Sequence, residues 1–330
     1  MSDTVIREAT PADNQALIDL ERRAPLLIDN SQLIVDRSPN FFARRELQEH
    51  ACVLVAEKDG SIAGVIAGAW HETLIGDHDV RALYIHHERV PAEYQRSGIG
   101  IVLAATLVER WVDHVDLVYW YVFPENRVSR TSVSNLLPSP WPTGPALQRF
   151  FLEEHKSVGS DLVPAQPDQA GELARLINRA HAGRDLFLPY TREALAARLS
   201  RSASYGWRQV FVRERAGRPV AMAGLWDLGA TLKEVHIDEA GVESVSRPAV
   251  ILDYGYAEGA EAEMAGLLED LGSLAAAWGR QELWMSVDPG SPLYPLLEDR
   301  PHASRPLLGL NMRGPVPGGS GPPYLDFVYW

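Results

Sequence analysis

Cysteine occurs once in the 330 residues, at Cys52, which excludes an internal disulfide framework and any cysteine-cluster zinc site. Between Ala51 and Val53 it reads as a small buried hydrophobe in a reducing compartment. Lysine is confined to Lys58, Lys156 and Lys233, so arginine carries nearly all the positive charge. Basic surplus is missing as well: 31 Lys and Arg oppose 44 Asp and Glu, a net charge of −13, and both halves of the chain are acidic. No nucleic-acid-binding face is expected from such a balance, although oriented backbone N–H groups can still hold a local anion. No apolar run reaches the ~18 residues of a membrane span. The opening MSDTVIREATPADN has no charged segment followed by an apolar one, so it does not read as a signal peptide, and the chain is expected to be cytoplasmic. His86-His87 has no HExxH or second ligand cluster beside it, so no metal is expected; adjacent strand residues should also point to opposite faces.

With 46% hydrophobic and 23% charged residues the chain must fold, and one domain per ~150 residues predicts two. The order of elements supports this. Val5–Arg7 reads as a strand. Thr10-Pro11-Ala12-Asp13 opens a helix, with Thr10 as N-cap and Pro11 at the first position. A looser stretch, 28–40, precedes a helical one over 41–49. Ala51–Glu57, the turn Lys58-Asp59-Gly60 and Ile62–Trp70 form a hairpin. Then come a strand over Val80–Val90, a glycine loop, a helix over Ile101–Val112, a strand over Leu117–Phe123 and a weak helix over 127–137. Four prolines in Leu136–Pro145 impose an irregular connection, and Phe150–Glu154 reads as the last strand of the first half. Residues 156–161 mark the junction. The second half repeats the order: strand at Leu162–Pro164, helices over 168–182 and 191–201, a hairpin over 207–225, a strand over Ala249–Tyr256, a helix over Ala260–Trp278 and a strand over Glu282–Val287. The aromatic C-terminus, Tyr324–Trp330, reads as a final strand; one that crossed between halves would bring Tyr329 or the Trp330 carboxylate toward the site. The repeated order points to an internal duplication.

The stretch that carries chemistry is Val90-Pro91-Ala92-Glu93-Tyr94-Gln95-Arg96-Ser97-Gly98-Ile99-Gly100. A strand feeds a short loop whose two glycines open an apolar helix. Free N–H groups and the positive end of the helix dipole face that loop, and glycine lets an anion approach the backbone. A phosphate cradle and a ligand-free tight turn both fit this spacing. No Gly-Lys-Ser/Thr follows, which excludes a Walker loop, and no third glycine completes a dinucleotide fingerprint.

Here the chain resembles the GCN5-related N-acetyltransferase (GNAT) superfamily. Gln95-Arg96-Ser97-Gly98-Ile99-Gly100 matches that family's Gln/Arg-x-x-Gly-x-Gly/Ala motif, and the order of elements over 4–155 fits its fold. The resemblance implies an α/β, tandem GNAT fold, with a mixed central sheet flanked by helices in each half: 1–155 with an intact acetyl-CoA motif, and 156–330 degenerate. It implies that N–H groups of Arg96, Ser97, Gly98, Ile99 and Gly100, with Gln95 before them, hold the acetyl-CoA pyrophosphate. The main chain near Arg89 and Val90 would pair with the pantetheine arm, and the Val90 N–H would polarise the acetyl carbonyl. Asn126 would open the next helix, as an ordinary N-cap also does, with Ser129 facing the cofactor. The family's tyrosine acid falls on Val133, so Ser132, Ser134 or water must substitute, or the half is catalytically altered.

In the second half Glu258, Glu261 and Glu263 stand where a pyrophosphate would approach, and like charge opposes binding. Acetyl transfer needs a neutral amine, hence a base. Strand period two puts Tyr84, His86, Glu88 and Val90 on one face, which makes Glu88 and His86 the candidates; a Glu88 ion pair with Arg81 or Arg89 and a core histidine give the same residues. The expected function is N-acetyl transfer from acetyl-CoA directly to a primary amine of a small molecule or peptide. The overall acidity favours a cationic amine. Arg22, Arg23, Arg44 and Arg45, on the helical region that roofs the family's cleft, would favour an anionic one if they are not simply solvated. A non-catalytic acyl-CoA-binding sensor or scaffold is the alternative, motivated by Val133 and the degenerate second half.

Overall fold

The computed structural model describes residues 4–28, 30–126, 139–152, 162–319 and 321–329. The first half opens with β1 (Val5–Glu8) and α1 (Asn14–Arg23). A short 3-10 turn at Pro11–Asp13 leads into that helix, where the Asp13 carboxylate accepts from the Thr10 N–H at 2.7 Å. The stretch expected to be loose, 28–40, instead contains β3 (Ser31–Asp36), with β2 (Leu26–Ile28) just before it, and 41–49 contains a 3-10 segment at Ala43–Leu47. β4 (Ala51–Lys58) and β5 (Ser61–Ile75) form the expected hairpin, with Asp59 and Gly60 both at positive φ in its turn. β6 (His78–Arg89), α2 (Ile99–Trp111) and β7 (Leu117–Val122) follow. β8 (Ser139–Pro140) and β9 (Ala146–Phe151) precede the junction. The expected weak helix at 127–137 lies outside the described residues.

The second half runs β10 (Val163–Pro164), α3 (Ala170–Ala180), α4 (Arg192–Arg198), β11 (Val210–Arg215), β12 (Arg218–Trp226), β13 (Lys233–Ile237), β14 (Glu243–Ser246), β15 (Pro248–Tyr256), α5 (Glu261–Ala277), β16 (Glu282–Met285), β17 (His302–Pro306) and β18 (Leu308–Arg313). Tyr324–Tyr329 is not a strand. It packs as an irregular segment whose Leu325, Phe327, Val328 and Tyr329 are buried in the core between the halves.

Each half builds a mixed seven-stranded sheet flanked by helices, the expected architecture. The first has the order β1-β4-β5-β6-β7-β18-β8 and the second β10-β11-β12-β15-β16-β9-β17. Among the described residues, only β6 and β7 run parallel in the first sheet and only β15 and β16 in the second. The closing strands are exchanged: β9 lies between β16 and β17, while β18 pairs with β7. The expected boundary at 155/156 falls outside the described residues, with these crossing strands on either side. A third sheet, β14-β13-β3-β2, takes two strands from each half.

Two cores sandwich the first sheet. Leu17, Ile18 and Leu20 of α1 pack on Val53, Val65 and Ala67; Ile99, Leu103 and Leu107 of α2 pack on Leu54 and Ile66. Leu103 and Leu107 are fully buried, contributing roughly 1.5–3 kcal/mol each. They fix α2, and with it the glycine loop, against the sheet.

Candidate active site

β6 and β7 pair only through Ala82–Tyr84 and Leu117–Tyr119. Beyond that, β6 continues to Arg89 and β7 to Val122 without pairing, so the sheet opens into a gap. A cavity of about 190 Å³ occupies it. Ile66 and Ala104 touch it from the α2 side, and Tyr84, Trp120, Leu232 and Trp284 from the side between the halves. The cavity therefore joins the two faces of the sheet.

A bulge in β6 arranges the candidate side chains. Ala67 faces His86 and Val65 faces Arg89, so His87 and Glu88 together oppose Ile66. His87 adopts φ 57°. His86 and Arg89 thus remain on the α1 face with Ala67 and Val65, and Glu88 turns to the α2 face. The expected alternation, which put His86 and Glu88 together, fails at this bulge. The expectation that His86 and His87 point apart fails there as well: their rings lie 4.3 Å apart and touch through the Nδ1 atoms.

On the α1 face His86 stacks on Tyr84 with centroids 5.4 Å apart. Its Nε2 lies 3.4 Å from Gln48 Nε2, which also donates to the Val328 carbonyl at 3.0 Å. Burial and then the positive charges of Arg44 and Arg37 push the His86 pKa well below its ordinary value, so this imidazole is neutral at pH 7. On the α2 face Glu88 packs against Gly100, where an added Cβ would come within 2.6 Å of Glu88 Oε1. Burial raises the Glu88 pKa, and the neighbouring Arg89 charge opposes the rise.

The glycine loop lies at the α2 mouth. Gln95, Arg96, Ser97 and Gly98 are exposed. Gly98, at φ 85°, caps α2, and among the described residues no side-chain hydrogen bond fills the cap. The first-turn N–H groups of Ile99, Gly100 and Ile101 therefore have no intrahelical acceptor. Ser97 Oγ donates to the Tyr94 carbonyl at 2.6 Å and Gln95 Nε2 to the Val90 carbonyl at 3.1 Å, so both side chains brace the loop. Asn126 is buried at the cavity. Ser129, Ser132, Val133, Ser134 and Trp330 lie outside the described residues.

The structure thus brings His86, Glu88, Arg89 and Asn126 to one cavity, with Gln95–Gly100 at its α2 mouth. Of the four arginines weighed above, Arg44 lines the cavity, while Arg22, Arg23 and Arg45 pair with Asp36, Glu93 and Glu8. Arg37, Gln48 and Glu234 were not anticipated. Arg37 and Glu234 come from the β3 and β13 regions, where the β-rich pattern of Ser31–Asp36 (SQLIVD) and Lys233–Ile237 (KEVHI) was the available signal. Among the described residues no group of three or more His, Cys, Asp or Glu could hold a metal, and no helix is long and apolar enough to cross a membrane.

Residues 15–131 match the acetyltransferase (GNAT) family model. Saccharomyces cerevisiae N-myristoyltransferase with bound myristoyl-CoA and inhibitors superposes with a TM-score of 0.70 at 12% identity, over 100% of this chain and 85% of that one. A GCN5-related N-acetyltransferase from Sphaerobacter thermophilus gives 0.59 at 14% identity, over 95% and 97%. One from Kribbella flavida gives 0.51 at 15%, over 93% and 71%. At such identities the likeness is one of fold. No curated protein matches the chain in sequence.

Proposed function

Taking the tandem GNAT fold of this chain as the premise, we propose that it is an acyl-CoA-dependent N-acyltransferase that uses acetyl-CoA and acetylates a primary amine directly. The observation that carries this reading is the gap between β6 and β7, which opens beside an uncapped helix start and leads into a cavity between the halves. The first-turn N–H groups of α2 and the Arg96–Gly100 backbone hold the pyrophosphate. The main chain at Arg89 and Val90 aligns the pantetheine arm, and the Val90 N–H polarises the thioester carbonyl. The amine enters from the opposite face. His86, neutral and on that face, takes the ammonium proton; the bulge places Glu88 on the cofactor side, which makes it the weaker choice. Attack forms the C–N bond, and collapse of the tetrahedral adduct breaks the C–S bond. The adduct nitrogen releases its second proton, which reaches the departing thiolate through water or through the hydroxyl of Ser132 or Ser134, so that CoA leaves as the thiol.

The two halves divide the work in this reading. Residues 1–155 bind the cofactor. Residues 156–330 form a GNAT-like unit without a pyrophosphate loop and wall the cavity with Leu232, Glu234 and Trp284.

Isothermal titration with acetyl-CoA tests this. Micromolar binding is expected, lost in a Gly98→Glu, Gly100→Glu double variant of unchanged fold. Absence of binding by the folded wild type would sink the reading. Binding without CoA release in the presence of any amine would favour an acyl-CoA-binding module instead.

A further inference from the structure

Resting on that reading, we propose that the acceptor is an amino acid with an apolar side chain, its carboxylate docked on the guanidinium wall formed by Arg37, Arg44 and Arg89. All three arginines line the cavity. Two carboxylates line it as well, so guanidinium groups outnumber carboxylates there three to two. Glu234 is held by Arg149 at 3.1 Å and by His236 at 3.2 Å, and Glu88 is turned against Gly100. Arg89 donates to the Glu88 carbonyl at 2.7 Å and, although the Glu88 charge reaches it, forms no side-chain ion pair among the described residues.

Arg37 also pairs with the buried Glu21. A carboxylate offers up to about four acceptor positions and none that donate, which suits a wall of guanidinium donors. Leu26, Leu33, Leu232 and Trp284 give the wall an apolar part, which suits an apolar side chain. Burial, and after it the positive charge on Arg44 and Arg37, lowers the proton affinity of His86. A carboxylate bound to those arginines offsets that charge and brings His86 closer to the affinity a base needs. The acidic composition of the whole chain had favoured a cationic acceptor; the charges that line the cavity favour the opposite.

The test is isothermal titration of the full-length protein with phenylalanine, phenylalaninamide and 2-phenylethylamine, without acetyl-CoA. Phenylalanine is expected to bind about ten-fold more tightly than either analogue. That ratio is expected to fall to about one in Arg44→Gln and in the charge-neutral double variant Glu21→Gln, Arg37→Gln, the second guarding against misfolding of the first. Equal binding of the three, no binding of any, or a ratio that survives both variants overturns the proposal. Transferase activity is read separately. A protein that binds phenylalanine on these terms but releases no CoA keeps the carboxylate subsite and loses the acyltransfer reading. One that acetylates 2-phenylethylamine better than phenylalanine keeps acyl transfer and loses the subsite.

Discussion

The two halves carry the same bulged strand and put it to opposite uses. In the first, β6 bulges at His87 and Glu88, β7 diverges, and a cavity remains. In the second, β15 bulges near Asp253, which also takes a left-handed φ of 50°, and β16 diverges after Trp284. There the equivalent ground is filled. Tyr254 Oη donates to the Ser286 carbonyl across the divergence at 3.1 Å. Gly255 lies against α3 so closely that an added Cβ would be 2.4 Å from Ile177 N. Asp253, 1% exposed, accepts from Arg198 Nε, Tyr190 Oη and Tyr205 Oη, and Arg198 also pairs with Asp326 of the C-terminal segment. Above it, the start of α5 carries Glu261 and Glu263, the latter paired with Arg215. One geometry thus supports an open site where its neighbours are glycines and a cross-linked core where they are tyrosines and ion pairs.

The comparison can be broken most severely at the loop. Gly98→Glu, Gly100→Glu is expected to weaken acetyl-CoA binding by more than about 100-fold, whereas Glu261→Gln at the start of α5 leaves it unchanged; calorimetric titration of both variants reads this directly. The bulge residues come next. Asp253→Ala leaves Arg198 short of a buried partner and should cost about 3–5 kcal/mol in denaturant unfolding. His87→Gly, at the matching position, should cost far less, because glycine accepts the left-handed backbone. Comparable losses at both would mean that the two bulges are equally structural.

Acidity separates the halves further. His181 is buried beside Tyr254, and burial pushes its pKa down to about 3. Its contribution to stability is complete above its unfolded value near 6.5 and is lost as pH falls from there toward about 3. Unfolding free energies measured from pH 7 to pH 4 should decline, and His181→Asn should flatten part of that decline. In the first half, the lowered proton affinity of His86 keeps it neutral below pH 6.5. The acid limb of kcat/KM is therefore expected below pH 6.5 and should move upward in Arg44→Gln. An acid limb at or above 6.5 in the wild type would point away from His86. The smallest effect is expected from Gln48→Leu, which frees the His86 ring and should lower kcat several-fold with little change in acetyl-CoA affinity.

Local patterning made much of this legible in advance. The turns at Asp59-Gly60 and Ala216-Gly217, the Thr10-Pro11 helix start and the glycine loop all depend on neighbours in sequence. What was not legible depends on distant partners. β3 and β13 stand as strands because they pair with each other across some 200 residues. β9 belongs to the second sheet because β16 and β17 bracket it. The side to which Glu88 turns was hidden because a bulge adds one residue to a strand without changing its composition. Arg37 and Glu234 come together through the sheet that the halves share, so their grouping has no local signature.

The exchanged strand β18 also sets a schedule for synthesis. β7, the aromatic run LVYWYV, lies roughly 190 residues before the strand that pairs with its outer edge. At about 5–20 residues per second, a nascent chain presents that edge unpaired for on the order of ten to forty seconds. An apolar, uncharged strand edge left open for so long is a template for aggregation. Yield of this protein in a cell should therefore respond to chaperone supply and to translation rate more than the stability of the finished molecule would suggest.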